Sequence, residues 1–207
     1  MKVERFVLGF VATNAYLLYD EQTKKAIVMD PSHHPEALLD RLKQLELQVE
    51  AILLTHAHFD HIGGVEEVRS FTGADVYLHQ AEQDWLTEPS LNGSALFPMV
   101  PETICQPAEQ ILTGGETLSW LGKSFEVIHT PGHSPGSVSF FTDGMVFGGD
   151  VLFERSIGRT DLPGGNHAQL IKTIRDHFFV LPDDTLVYPG HGEITYIGTE
   201  KKENPFL

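Results

Sequence analysis

The chain has 207 residues, enough for a full hydrophobic core in one large domain. Apolar residues make up 41% and charged residues 21%, which argues against disorder. Against 29 Asp and Glu stand only 14 Lys and Arg, and the net charge of −15 argues against broad binding of nucleic acid or of an anionic membrane.

Strands are expected first, at about Lys2–Leu8, Ala15–Tyr19 and Ala26–Met29, with turn-like residues at 9–14 and 20–24 between them. Phe6 to Leu18 has the length of a signal-peptide core. Glu4 in the would-be basic region, Asn14 within the run and the lack of a small-residue cleavage site speak for strands instead. Pro35 opens a helix whose apolar face is Leu38, Leu39, Leu42 and Leu45. Ala51–Leu54 is short and wholly apolar, as in a buried strand. A helix over Val65–Phe71, a strand at Val76–Leu78 and a short helix at Gln80–Leu86 follow. Residues 88–107 hold Pro89, Pro98, Pro101 and Pro107 with Leu96, Phe97 and Met99. A segment this irregular is either a lid or wall beside a site, or a loop packed on the surface or a partner. Later strands are expected at Ser124–His129, Ser137–Phe141, Met145–Phe147 and Leu186–Tyr188. Asn166 caps a helix through about Phe179, with Leu170, Ile171, Ile174 and Phe178 inward. Strands with interspersed helices in both halves suggest two sheets covered by helices. The linkers are too short for two separable domains, so 1–207 reads as one. No apolar run approaches a membrane span. The lone Cys105 excludes a disulfide framework, fits a cytoplasmic home and, with no histidine beside it, reads as a packed thiol.

Four clusters carry chemistry, each after an apolar strand and beside glycine: "THAHFDH" at 55–61, "HTPGHSPG" at 129–136, "FGGD" at 147–150 and "YPGHG" at 188–192. Loops at strand ends can converge on one place, and Gly132, Gly149 and Gly190 permit tight turns and close backbone approach. His56 and His58, two apart, point the same way on extended backbone, while Asp60 and His61 follow the turn. With His133, Asp150 and His191 the inventory is an all-N/O donor set without cysteine, suited to two divalent first-row ions: zinc foremost, then iron or manganese. Two such ions serve metal-assisted hydrolysis. His33, His34, His79, His129, His167 and His177 fall outside this pattern and read as ordinary structural or surface histidines.

These motifs, in this order and spacing over nearly the whole chain, resemble the metallo-β-lactamase superfamily. "GGDVLFERSIGRTDLPGG" and "YPGHGEITYIGTEKKENPF" are similar to hydroxyacylglutathione hydrolases (glyoxalase II) and their short bacterial relatives. The resemblance implies an α/β fold: an αβ/βα four-layer sandwich of two mixed sheets flanked by helices, with the metals at one edge. It implies that His56, His58 and His133 hold one metal, that Asp60, His61 and His191 hold the other, and that Asp150 bridges. Asp60 and Asp150 would serve catalysis, and a metal-bridging hydroxide would attack the thioester. Arg159 stands where that group places a basic glutathione contact. His61 and Asp150 argue against a true β-lactamase, because those enzymes depart from the pattern at one or both positions. The charge and the lack of room for an RNA-binding domain disfavour a nuclease.

The departures concern substrate. The helical C-terminal domain of full-length glyoxalase II enzymes is not expected after His191, and Asp161 and Glu193 replace tyrosines near the glutathione contact. Arg159 therefore has two readings: it reaches over the site and binds a substrate carboxylate, or Arg159 and Asp161 pair with neighbours and hold the loop. The expected substrate is a small molecule, a glutathione or other thiol ester. "GRTD" and the C-terminal "NP" also resemble persulfide dioxygenases of the same fold, which use one iron, here on His56, His133 and Asp150.

Overall fold

The computed structural model describes residues 1–207. The first half forms one six-stranded sheet of β1 (Lys2–Leu8), β2 (Thr13–Tyr19), β3 (Lys25–Met29), β4 (Gln48–Leu53), β5 (Val76–His79) and β6 (Gln110–Leu112), in that spatial order. Pairing is antiparallel from β1 to β3 and parallel from β3 to β6, so the sheet is mixed. Helices α1 (Glu36–Leu45), α2 (Phe59–Ile62), α3 (Val65–Thr72) and α4 (Pro89–Asn92) lie among these strands in the chain. The second half contributes β7 (Thr117–Trp120), β8 (Lys123–His129), β9 (Val138–Thr142) and β10 (Met145–Gly149), then a hairpin of β11 (Leu152–Phe153) and β12 (Ser156–Ile157). After α5 (His167–Thr173) come β13 (Leu186–Pro189), β14 (Thr195–Tyr196) and α6 (Ile197–Glu203). The second sheet runs β14-β13-β10-β9-β8-β7 and is also mixed.

Strand alternation builds the layers. β2 is buried along its whole length. Its Leu17 and Tyr19 face the outer core with Leu38 and Leu42 of α1 and Val65 and Val68 of α3. Its Tyr16 and Leu18 face the second sheet, where they join Phe125, Val127, Phe140 and Phe147. The far face of that sheet packs Val146 and Val187 against Leu170, Ile174, Phe178 and Ile197. Three apolar cores between four layers follow from the period of two that puts successive side chains on opposite faces. This is the expected αβ/βα sandwich. No helix is long and apolar enough to cross a membrane.

Several elements differ from expectation. β2 begins at Thr13 and β4 at Gln48, so both strands start earlier than their apolar runs. β6, β7, β11, β12, β14 and α6 were not foreseen. The strands among them have two to four residues, too short for a periodic pattern. The helix capped by Asn166, whose side chain accepts from Gln169 N–H, continues past α5 as a π-helical turn over Ile174–Phe178. Gln80–Leu86 is a 3-10 helix. Within 88–107 lie α4 and a 3-10 turn at Ser94–Leu96, tied down by Asn92, whose amide donates to Trp85 O and Thr103 O.

Candidate metal centre

Strand direction brings the four motifs to one edge. β3 and β4 are parallel, and β8, β10 and β13 run the same way, because β9 is antiparallel to both β8 and β10 and β13 is parallel to β10. The residues just beyond their carboxyl ends are Asp30, His56, His133, Asp150 and His191. The short helix α2, which His58 precedes, turns the chain so that Asp60 and His61 face the same point.

The seven predicted residues form one cluster. His58 Nδ1 lies 2.8 Å from His133 Nε2, which lies 3.2 Å from His56 Nε2. Asp60 Oδ2 lies 3.5 Å from His61 Nε2 and 3.1 Å from His191 Nε2. Asp150 stands between the two groups: Oδ1 is 3.3 Å from His61 Nε2, and Oδ2 is 3.6 Å from His133 Nε2 and 3.5 Å from His191 Nε2. Gly190 makes the contact possible, since a Cβ there would come within 2.1 Å of Asp150 Oδ1 and 2.7 Å of a His61 carbon. The other histidines stay outside; His79 and His129 stack on each other, 4.3 Å apart.

The surrounding bonds set the tautomers. His61 Nδ1–H donates to Asp30 Oδ2 at 3.0 Å, so its Nε2 faces the cluster. Asp30 also accepts from Thr55 N–H and Thr55 Oγ1–H. With its proton on Asp30, Thr55 Oγ1 accepts from His56 Nδ1–H at 3.1 Å, which turns the His56 Nε2 lone pair inward as well. His133 Nδ1–H donates to the Arg159 carbonyl at 2.7 Å, with the same result. Three ring nitrogens thus aim at the centre by construction, and fixing a ring through its other nitrogen is the usual support for metal-ligating histidine. Buried His61 Nε2 and Asp150 Oδ1, which both face the centre, have no hydrogen-bond partner. Converging lone pairs and orphaned polar atoms in a buried pocket are costly unless a cation joins them. The donor set fits divalent metal.

Charge divides the cluster. Burial, reinforced by His133, brings His58 down to about 3. Burial, with His61 and His133 nearby, holds His56 well below the ordinary imidazole range, and burial also lowers His133. All three are therefore neutral imidazoles, the form that ligates metal. Burial opposes charge on His61 and His191 too, but carboxylates outweigh it, chiefly Asp60 at His61 and Asp150 at His191, and both are raised. Asp60 and Asp150 keep their charge against burial because His61 and His191 lie beside them.

A cavity of about 400 Å³ opens onto His58, Asp60, His133, Asp150 and His191. Its walls include Phe59, Phe153, and Phe97 and Val100 from the 88–107 segment, which thus forms a wall of the site. Arg159 lines it as well, its guanidinium forked onto both oxygens of Asp161 at 2.7 and 2.8 Å. Buried Cys105, its thiol pushed up to about 12 by burial, takes no part in the cluster.

Sequence reasoning missed the supporting residues. Thr13 Oγ1–H donates to Asp60 Oδ2 at 2.8 Å. Asn14, expected in a turn, sits in β2 and stitches the sheets together, its amide donating to Pro189 O and Gly192 O on either side of His191. Asp30 gave one weak signal, an acid directly after an apolar strand, as Asp150 does.

Two helix-covered mixed sheets with a His/Asp cluster at the strand ends define the class of the metallo-hydrolases. The chain belongs to the metallo-beta-lactamase superfamily, whose family model matches residues 8–191. It is 43% identical to the probable metallo-hydrolase YqgX of Bacillus subtilis, over 100% of this chain and 98% of that protein. It is 34% identical to the hydroxyacylglutathione hydrolase GloC of Haemophilus influenzae, again over 100% and 98%. Among solved structures it is similar to BLEG-1, named a B3 metallo-beta-lactamase, with a TM-score of 0.95, 48% identity and coverage of 100% and 99%. It is also similar to TTHA1623 in a di-iron-bound form, with a TM-score of 0.83, 36% identity and coverage of 99% and 100%.

Proposed function

We propose that this protein is a two-metal hydrolase that cleaves a small thioester such as a hydroxyacylglutathione, with zinc as its metal. The observation that carries this reading is the position of Asp150, within 3.6 Å of a histidine from each of the two groups. His56, His58 and His133 would hold one ion, Asp60, His61 and His191 the other, and Asp150 both. When bound, the two cations lower the pKa of water toward neutrality and polarise the scissile carbonyl. Asp60, its Oδ2 held by Thr13, orients the attacking water by accepting a hydrogen bond from it. Phe59, Phe97 and Phe153 shield the reacting carbonyl from bulk water. The name of GloC supports a thioester substrate.

The test is metal content per chain in protein produced with both zinc and iron available, followed by assay on S-lactoylglutathione. Two metals per chain and thioester cleavage are expected. Full loading without thioesterase activity would overturn the substrate, and ring-opening of a β-lactam in its place would favour the activity in BLEG-1's name. A single iron per chain, with oxygen consumed on glutathione persulfide, would assign His56, His133 and Asp150 to a mononuclear iron dioxygenase.

Arg159 is the only Lys or Arg lining the cavity, and Asp161 occupies it. Asp161→Asn frees the guanidinium for a substrate carboxylate. A charge-assisted hydrogen bond is worth about 1.5–3 kcal/mol, and partial exposure of the pair puts the expected gain in kcat/KM on S-lactoylglutathione at the low end, about tenfold. A neutral thioester should show no gain.

A further inference from the structure

Glu82 is fully buried and belongs to neither metal group. It lies in the 3-10 helix after β5. Its Oε2 accepts from Ala57 N–H at 2.6 Å, and its Oε1 accepts from Gly136 N–H at 2.7 Å. Ala57 sits between His56 and His58, on the loop leaving β4 of the first sheet. Gly136 lies three residues after His133, on the loop leaving β8 of the second. One carboxylate therefore spans the tips of the two loops that carry three ligand histidines. The same two segments also meet at a backbone bond from Val138 N–H, at the start of β9, to Thr55 O, so Glu82 is a second tie across this junction. The fit is tight: a Cβ on Gly136 would come within 2.8 Å of Glu82 Cγ and 3.0 Å of its Cδ.

Burying a carboxylate is expensive, and an apolar side chain would fill this space more cheaply if filling were its only role. No Lys or Arg pairs with Glu82; each of its oxygens accepts a backbone N–H, and the Ser134 hydroxyl lies beside it. A carboxylate can accept from two loops at once at a fixed spacing. Resting on the metal assignment above, we propose that Glu82 is a positioning residue for the His56/His58/His133 metal: it sets the separation of the two loops at which these three nitrogens converge.

Two variants test this from opposite sides. Glu82→Gln keeps the shape but puts an amide N–H₂ against one of the two N–H donors. Gly136→Ala keeps the carboxylate but displaces it. Each is loaded with Co²⁺, titrated by a competing chromophoric chelator and followed by its visible d–d spectrum, with His58→Ala identifying the bands of the first site. Unfolding of each metal-free variant reports its stability separately. The expected result is about 10–100-fold weaker binding at the first site, with altered bands there. The second site should keep its affinity and spectrum. Should Glu82→Gln fail to fold, Gly136→Ala carries the test. Variants that lose only thermal stability, with wild-type affinities and bands at both sites, would overturn the proposal and leave the metal assignment standing. Unchanged Co²⁺ binding in His58→Ala would overturn the metal assignment itself, and the proposal with it.

Discussion

Asp150→Asn is expected to lower kcat/KM on the thioester by about 10²–10³-fold or more, the loss seen when one preorganised group that stabilises developing charge is removed. The loss should fall mainly on kcat. Asp150 lies within 3.6 Å of His61, His133 and His191 together. Its carboxylate keeps its charge against burial because His191 and His61 lie beside it. Asparagine nearly preserves the volume, so Gly190 still fits against it, but it removes one negative charge and replaces one lone-pair oxygen with a donor. That donor would face histidine nitrogens or a metal ion, and neither one shared ion environment nor two is then complete. Metal per chain should fall from two toward one, measured by elemental analysis after gel filtration. Full loading with near wild-type kcat would show that Asp150 does not join the two groups.

The second large effect is expected at Asp30. Asp30→Asn should weaken metal binding at the Asp60/His61/His191 group by about 10–100-fold, the usual size of effect for a partner that orients a ligand. Asparagine is suited to this position because Asp30 has φ 46°, a left-handed conformation that Asp and Asn tolerate better than most residues. The change is therefore chemical more than conformational. If the amide oxygen keeps the bond to Thr55 N–H, the amide nitrogen faces Thr55 Oγ1 and His61 Nδ1. His61 then favours the other tautomer, with its proton on Nε2 and aimed into the cluster. Chelator competition on the purified variant measures the affinity. An affinity within twofold of wild type would show that the Asp30–His61 bond does not select the tautomer.

How far the site was legible depended on what each residue does. His56, His58, Asp60 and His61 crowd into six positions, a local density that survives as a pattern without any fold. His133, Asp150 and His191 are isolated in the chain, and only their shared setting after a strand and beside glycine drew them together. Thr13, Asn14, Asp30 and Glu82 had no such pattern. Threonine, asparagine and acids after strands are common, and what sets these apart is a partner 25 to 178 residues away. The Arg159 side chain stood between two readings. In the structure it pairs with Asp161 while lining the cavity, and its backbone carbonyl, which no side-chain reasoning could weigh, orients His133.

Sequence alone determined the layers and the chemistry. Unbroken apolar runs at 15–19 and 26–29 require a core on each face of the first sheet, and histidines and aspartates without cysteine define a nitrogen-and-oxygen donor set. The tertiary structure alone decided which of those donors meet, which tautomers they present and which uncharged or buried neighbours hold them. Periodicity and composition are local properties of the chain. Convergence of five strand ends, and the hydrogen bonds that cross from one sheet to the other, are set by packing between segments far apart in sequence.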